Sequence, residues 1–260
     1  MNQVLNFGAA VAAFCAMIGA AASALAAPEE TGTETRSIDT RVVRVKLDGV
    51  IDLKLKQGAV PALVIIGEKR LMAKTTTEQH GDTLTIGTET KGFKFSQRSN
   101  SLRAELTLPQ LREVSSESVG WTDITGFSGD ELELSLDGAG SMKVNCSYRV
   151  VTATLGGVGH MNIQGGNTEG IDLTLRGAGY VTLNGRSKWL KASLGGLGGL
   201  DAQHFQVENV DLELSGLGNA TVSARQNANL NLSGMGSVTV YGKPLNRSVS
   251  VDGLGKVSWK

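Results

Sequence analysis

Residues 154–163 read TLGGVGHMNI and residues 174–183 read TLRGAGYVTL. The same frame recurs as SLDGAGSMKV (135–144), SLGGLGGLDA (193–202), ELSGLGNATV (213–222), NLSGMGSVTV (231–240) and SVDGLGKVSW (250–259). Its glycine pairs, read as the structural turns of the repeat, are Gly138/Gly140, Gly157/Gly159, Gly177/Gly179, Gly196/Gly198, Gly216/Gly218, Gly234/Gly236 and Gly253/Gly255. Successive first glycines are 19, 20, 19, 20, 18 and 19 residues apart. So regular a period marks a repeat architecture. A degenerate copy, ESVGWTDITG, surrounds Gly120.

Within each copy apolar residues alternate. Leu132, Leu134 and Leu136 precede Gly138, and Met142 and Val144 follow Gly140; Ile171, Leu173, Leu175, Val181 and Leu183 repeat the phase. A period of two means strands with one buried face. Each unit then reads as strand, Gly-x-Gly corner, strand and a return loop such as 164–170 or 184–189. One unit cannot bury its own apolar face, but stacked units can. The sequence therefore predicts an all-β, two-sheet parallel β-helix, right-handed by the usual crossover rule, with rungs about 4.8 Å apart. The corner glycines are expected to need positive φ and to leave little room for a Cβ. The middle residues, Ala139, Val158, Ala178, Leu197, Leu217, Met235 and Leu254, are expected to plug the corner of the core. An exposed stripe for a partner is the alternative.

Ahead of the repeats, strand-like runs occur at VVRVKL, VIDLKL, ALVIIG, DTLTIG and RAELTLP, with His80-Gly81-Asp82 as a turn. The chain divides into a signal peptide over 1–26, a flexible linker over 27–36, a β-rich N-terminal or cap region over 37–110, and regular solenoid repeats over 111–260. The signal reading rests on an uncharged apolar stretch ending in Ala24-x-Ala26. Cleavage there would leave Cys146 as the sole cysteine, so packing rather than a disulfide must hold the fold. No transmembrane segment is expected after the leader.

Composition narrows the function. Lys and Arg number 25, as do Asp and Glu, so net charge is zero, and by overall charge a general nucleic-acid or anionic-membrane binder is excluded. No helix follows Gly-x-Gly, which removes a dinucleotide loop. GGLGGLD lacks the acidic ladder of a calcium repeat, and no paired-His or paired-Cys motif is present, so neither metal nor cofactor is expected. No convergent catalytic set emerges from the carboxylates: Asp137 and Asp252 share a column six copies apart. The column after Gly-x-Gly varies freely and reads as a solvated edge. Within it, His160 and Tyr180 fall on neighbouring rungs with Arg176 near the same corner, a trio suited to a sugar or a carboxylate.

The leader, VVRVKLDGVIDLKLKQG at 42–58, AELTLPQL at 104–111 and the tandem GAG, GVG, GLG and GMG turns together resemble the head-GIN-domain family of autotransporter adhesin heads. The resemblance implies a β-superhelix shaped like pectin lyases without their catalytic residues, on an exported or surface protein with an adhesive role. After Gly255 only Lys256–Lys260 remain, so a self-displaying barrel is not expected. The expectation is a non-enzymatic binding module of the Gram-negative envelope: periplasmic, outer-surface-associated or secreted. It would contact a glycan or cell-surface ligand, or self-associate. The alternatives are a polysaccharide lyase or hydrolase, with its site in 90–130 or a side groove, and a self-assembling structural protein.

Overall fold

The computed structural model describes residues 30–89 and 102–260; the leader expected over 1–26 lies outside them. Apart from one short helix, α1 (Lys69–Met72), the regular structure among the described residues is all strand. Six long strands carry the repeats: β9 (Val119–Leu136), β10 (Ala139–Leu155), β11 (Val158–Leu175), β12 (Ala178–Leu194), β13 (Leu197–Leu214) and β14 (Leu217–Leu232). Each runs from one Gly-x-Gly corner to the next, bending round the opposite edge. The expected return loops are thus extended backbone, marked by a register shift such as that between Asn145 and Val150 of β10.

Neighbouring strands pair in parallel, residue on equivalent residue. Val144, Ile163 and Leu183 form one column; Leu155, Leu175, Leu194, Leu214 and Leu232 form another. No member of either column is more than 3% exposed. These ladders are the core, and β10 adds Cys146 and Tyr148, whose hydroxyl donates to the Leu111 carbonyl at 2.7 Å. Cys146 is a buried free thiol.

The motif glycines are required by close approach. Only Gly198 among them has a positive φ, at 155°, so the expected left-handed corner is not what selects glycine. The Val158 amide donates to the Gly138 carbonyl at 3.0 Å, and a Cβ on Gly157 would land on that same oxygen. A Cβ on Gly159 would likewise strike the Gly140 carbonyl. Each rung's corner therefore rests on the backbone of the one before.

The two glycines of a pair also differ in place, which corrects the reading of both as turn residues. The bend falls at the first: Gly138, Gly157, Gly177, Gly196 and Gly216 lie between consecutive long strands. The second has already joined the sheet. Gly140, Gly159, Gly179, Gly198 and Gly218 are each the second residue of a strand, β10 to β14 in turn. They pair glycine on glycine, Gly159 with Gly179 and Gly198 with Gly218. Gly236 and Gly255 directly precede the strands that begin at Ser237 and Lys256. Space, not turning, demands glycine at these second places. A Cβ on Gly179 would strike the Gly159 carbonyl and come 2.8 Å from Leu155 Cδ2, and one on Gly236 would strike the Gly218 carbonyl and come 2.6 Å from Leu214 Cδ2. A Cβ on Gly218 would land on the Gly198 carbonyl.

Two expected boundaries give way. The linker over 27–36 contains β1 (Thr31–Arg36), antiparallel to β4 (Ala62–Glu68). Its polar sequence hides it because the pairing is made by backbone at an edge. The division at 110/111 does not interrupt the solenoid. β2 (Arg44–Asp48) and β3 (Asp52–Gln57) make a rung pairing in parallel with β8 (Glu113–Ser116) and the start of β9. On their other side lie β6 (Thr83–Thr88) and β7 (Arg103–Leu108). The N-terminal end is closed by antiparallel strands: β5 (Thr75–His80) on β6, and β4 on β7. At the far end stand β15 (Ser237–Tyr241), β16 (Asn246–Val251) and β17 (Lys256–Trp259). No helix among the described residues is long and apolar enough to cross a membrane.

Candidate functional site: the glycine corner and its flanks

The corner column corrects the sequence expectation. Val158, Leu197, Leu217, Met235 and Leu254 are 60%, 57%, 46%, 56% and 82% exposed, and Ala139 and Ala178 are exposed too. They do not plug the core. The reason is that the period of two runs through the corner unbroken. Leu136, Gly138, Gly140 and Met142 keep the inward phase, and Ala139 between them keeps the outward one. Glycine fills the inward places because the stacked corner leaves no space for a side chain. The even spacing from Leu136 to Met142 was the available signal.

Beside this stripe lies a shallow groove of about 660 Å³. Leu197, Leu217, Met235 and Leu254 form its apolar wall, Ser215 and Ser233 sit alongside, and Arg176 marks one end. From Ala178 to Leu254 it spans four rung steps, about 19 Å at the usual strand spacing. Arg176 is exposed and has no ion pair or side-chain hydrogen bond among the described residues.

His160 and Tyr180 meet on the other flank. Their rings stack with centroids 6.0 Å apart and planes 10° from parallel. The far side of Tyr180 leans on Gly199, where a Cβ would approach Cε2 to 2.8 Å. One ring face is thus shared with His160 and the other lies along backbone, so the tyrosine presents its edge and hydroxyl outward. Burial, with a smaller effect from the Asp201 charge, raises the Tyr180 pKa and keeps the hydroxyl a donor. Arg176 belongs to the groove, and His160 and Tyr180 do not line it.

A second, polar groove of about 1070 Å³ lies on the opposite edge, bounded in part by Arg44, Glu113, Glu133, Tyr148 and Arg149. The sequence alternative of a site in 90–130 or a side groove overlaps its lining but named none of these residues, because the β2–β8–β9 stacking that makes Arg44, Glu113 and Glu133 successive neighbours is not visible in the linear order. Glu113 is held by Arg44 at 3.2 Å, and Arg149 ties Glu169 at 2.9 Å beside Asp130 and Glu131. Hydrogen bonding to Arg149 lowers the Glu169 pKa. These are charges engaged with one another at the surface. Among the described residues no group of three or more His, Cys, Asp or Glu is placed to hold a metal ion.

Residues 43–244 match the family described as "Putative auto-transporter adhesin, head GIN domain". The chain belongs to the head GIN domain family. Three solved structures share the fold of this head GIN domain. A "putative adhesin" from Parabacteroides distasonis ATCC 8503 is 19% identical with a TM-score of 0.79, covering 90% of this chain and 98% of its own. One from Parabacteroides merdae ATCC 43184 is 20% identical with a TM-score of 0.68, covering 90% and 97%. A "Putative lipid binding protein" from the same P. distasonis strain is 19% identical with a TM-score of 0.70, covering 88% and 97%. No curated protein matches the sequence.

Proposed function

We infer that this head GIN domain is an exported, non-enzymatic adhesion module of the bacterial envelope that meets its partner along the glycine corner. The observation that carries this reading is the column of large apolar side chains held outward at rung spacing by glycines. Contiguous exposed apolar surface on a protein with a well-filled core marks a contact site. Arg176 on one flank and the His160–Tyr180 pair on the other supply polar contacts, with a glycan or a cell-surface carboxylate as the class of ligand they suit.

Binding of the purified protein to glycan arrays and to whole cells tests this. Leu197→Asp with Leu217→Asp should abolish binding while leaving circular dichroism unchanged. His160→Ala with Tyr180→Ala should weaken it by about 1–3 kcal/mol. Full binding by the folded Leu197/Leu217 variant would remove the corner from consideration. Release of new reducing ends from a polysaccharide, lost in Glu133→Gln, would make the protein an enzyme working in the polar groove.

A further inference from the structure

The two ends of the solenoid are finished differently. Antiparallel strands cover the N-terminal end, whereas β16 and β17 stand open, and every residue of β16 is exposed. Val249 and Val251 continue the inward columns of Leu230 and Leu232. They are 43% and 40% exposed where those leucines are 1% and 0%. Two loops flank this face. Leu245 on the return side and Leu254 on the glycine corner are 83% and 82% exposed, the highest values among the described large apolar side chains.

Charge is concentrated at the same end. Residues 241–260 carry Lys243, Arg247, Lys256 and Lys260 against one acid, Asp252, in a chain of zero net charge. The Arg247 guanidinium lies 4.4 Å from the Trp259 ring centre, and the Lys260 ammonium 5.6 Å from that of Tyr241. Apolar tips among cations, with Trp and Tyr beside them, suit the headgroup layer of a bilayer. A second copy packed end to end would set four cations against four.

We propose that this end of the solenoid docks on an anionic phospholipid surface. Leu245 and Leu254 enter the boundary between headgroups and acyl chains, and Lys243, Arg247, Lys256 and Lys260 meet the phosphates. The glycine corner then runs up the side of the docked solenoid.

Flotation with vesicles of phosphatidylcholine alone, or mixed with phosphatidylglycerol, tests the proposal. Quenching of Trp259 by brominated lipid reads the docking end directly, with Trp259→Phe as control. Binding and quenching should require phosphatidylglycerol and fade with added salt. Lys243→Gln with Lys256→Gln should lower partitioning about thirtyfold. Leu245→Ser with Leu254→Ser should lower it at least about tenfold. The Leu197/Leu217 variant should dock normally, which separates this proposal from the corner's role. Equal binding to phosphatidylcholine alone, or no quenching of Trp259, would overturn it. So would a dimer in sedimentation velocity that the Leu245/Leu254 variant dissolves without any vesicle binding, because the open rung would then serve a second copy.

Discussion

The run Gly195-Gly196-Leu197-Gly198-Gly199 allows the stacking argument to be tested with two one-methyl changes on adjacent residues. A Cβ on Gly195 would find Ser215 Oγ at 3.5 Å and the Leu175 carbonyl at 3.9 Å, which is ordinary contact. Gly195→Ala should therefore stabilise the fold by about 0.4–1 kcal/mol, by reducing the freedom of the unfolded chain. A Cβ on Gly196 would land on the Gly177 carbonyl and lie 2.7 Å from that of Arg176. Those atoms are backbone, and the Gly177 oxygen already accepts the Leu197 amide at 3.0 Å. Relief requires two rungs to part. Overpacking of about 1–3 kcal/mol joins a weakened hydrogen bond of about 1 kcal/mol, so Gly196→Ala should lose about 2–4 kcal/mol. Urea unfolding followed by far-UV circular dichroism and tryptophan fluorescence would place the two midpoints roughly 1 M or more apart. Coincident midpoints would mean that the corners are looser than the stacking requires, and the account of the glycine columns would fail.

Leu175→Ala should cost about 2–5 kcal/mol through an unfilled cavity in its ladder, while the exposed neighbour Arg176→Ala should stay within about 0.5 kcal/mol; equal midpoints would show the strand phase to be inverted. Cys146, its pKa pushed by burial from 9.0 up to about 12, should resist thiol reagents at neutral pH until denaturant is added. Because the folded state holds that proton more tightly than the unfolded state, stability should be full below pH 9 and fall as pH rises toward 12. Burial raises Tyr148 in the same direction, so Cys146→Ala should flatten only part of the decline in a pH series of unfolding curves.

The solenoid was legible because alternation and period are local properties. Leu132, Leu134 and Leu136 announce their own strand, and a spacing of about 19 residues announces the stack. The rung built by β2 and β3 was not legible as a rung. Its corner, Asp48-Gly49-Val50-Ile51, carries one glycine where the repeats have two, and its place between β6–β7 and β8–β9 is set by stacking order. β1 escaped notice because TGTETR has no apolar face, and backbone pairing with β4 leaves no mark on composition. At the candidate site the register brought His160 beside Tyr180 as the period required, with Arg176 on the other flank. The corner stripe was misjudged for a different reason: plugging the core would need a break in phase at the glycines, when their inward phase is what makes them glycines.

That last point ties scaffold to surface. Each motif glycine from Gly138 to Gly253 is confined by a carbonyl one rung away, so its column accepts almost no variation without loss of stacking. The residue between two such glycines is held on the outward phase by the same hydrogen bonds, yet its side chain touches solvent, so packing constrains it little. Ala139, Val158, Leu197 and Met235 show that freedom in size. What packing does not demand is that all seven be apolar. Ser, Asn or Lys, which occupy the next column at positions 141, 219 and 256, would fit the corner as well. Stability of the solenoid thus does not account for the apolar character of this column, and the proposed contact with a partner would. A Leu197→Ser, Leu217→Ser variant separates the two demands: its unfolding midpoint should match the parent's while its binding falls. A matched loss of both would mean that the stripe serves the fold after all.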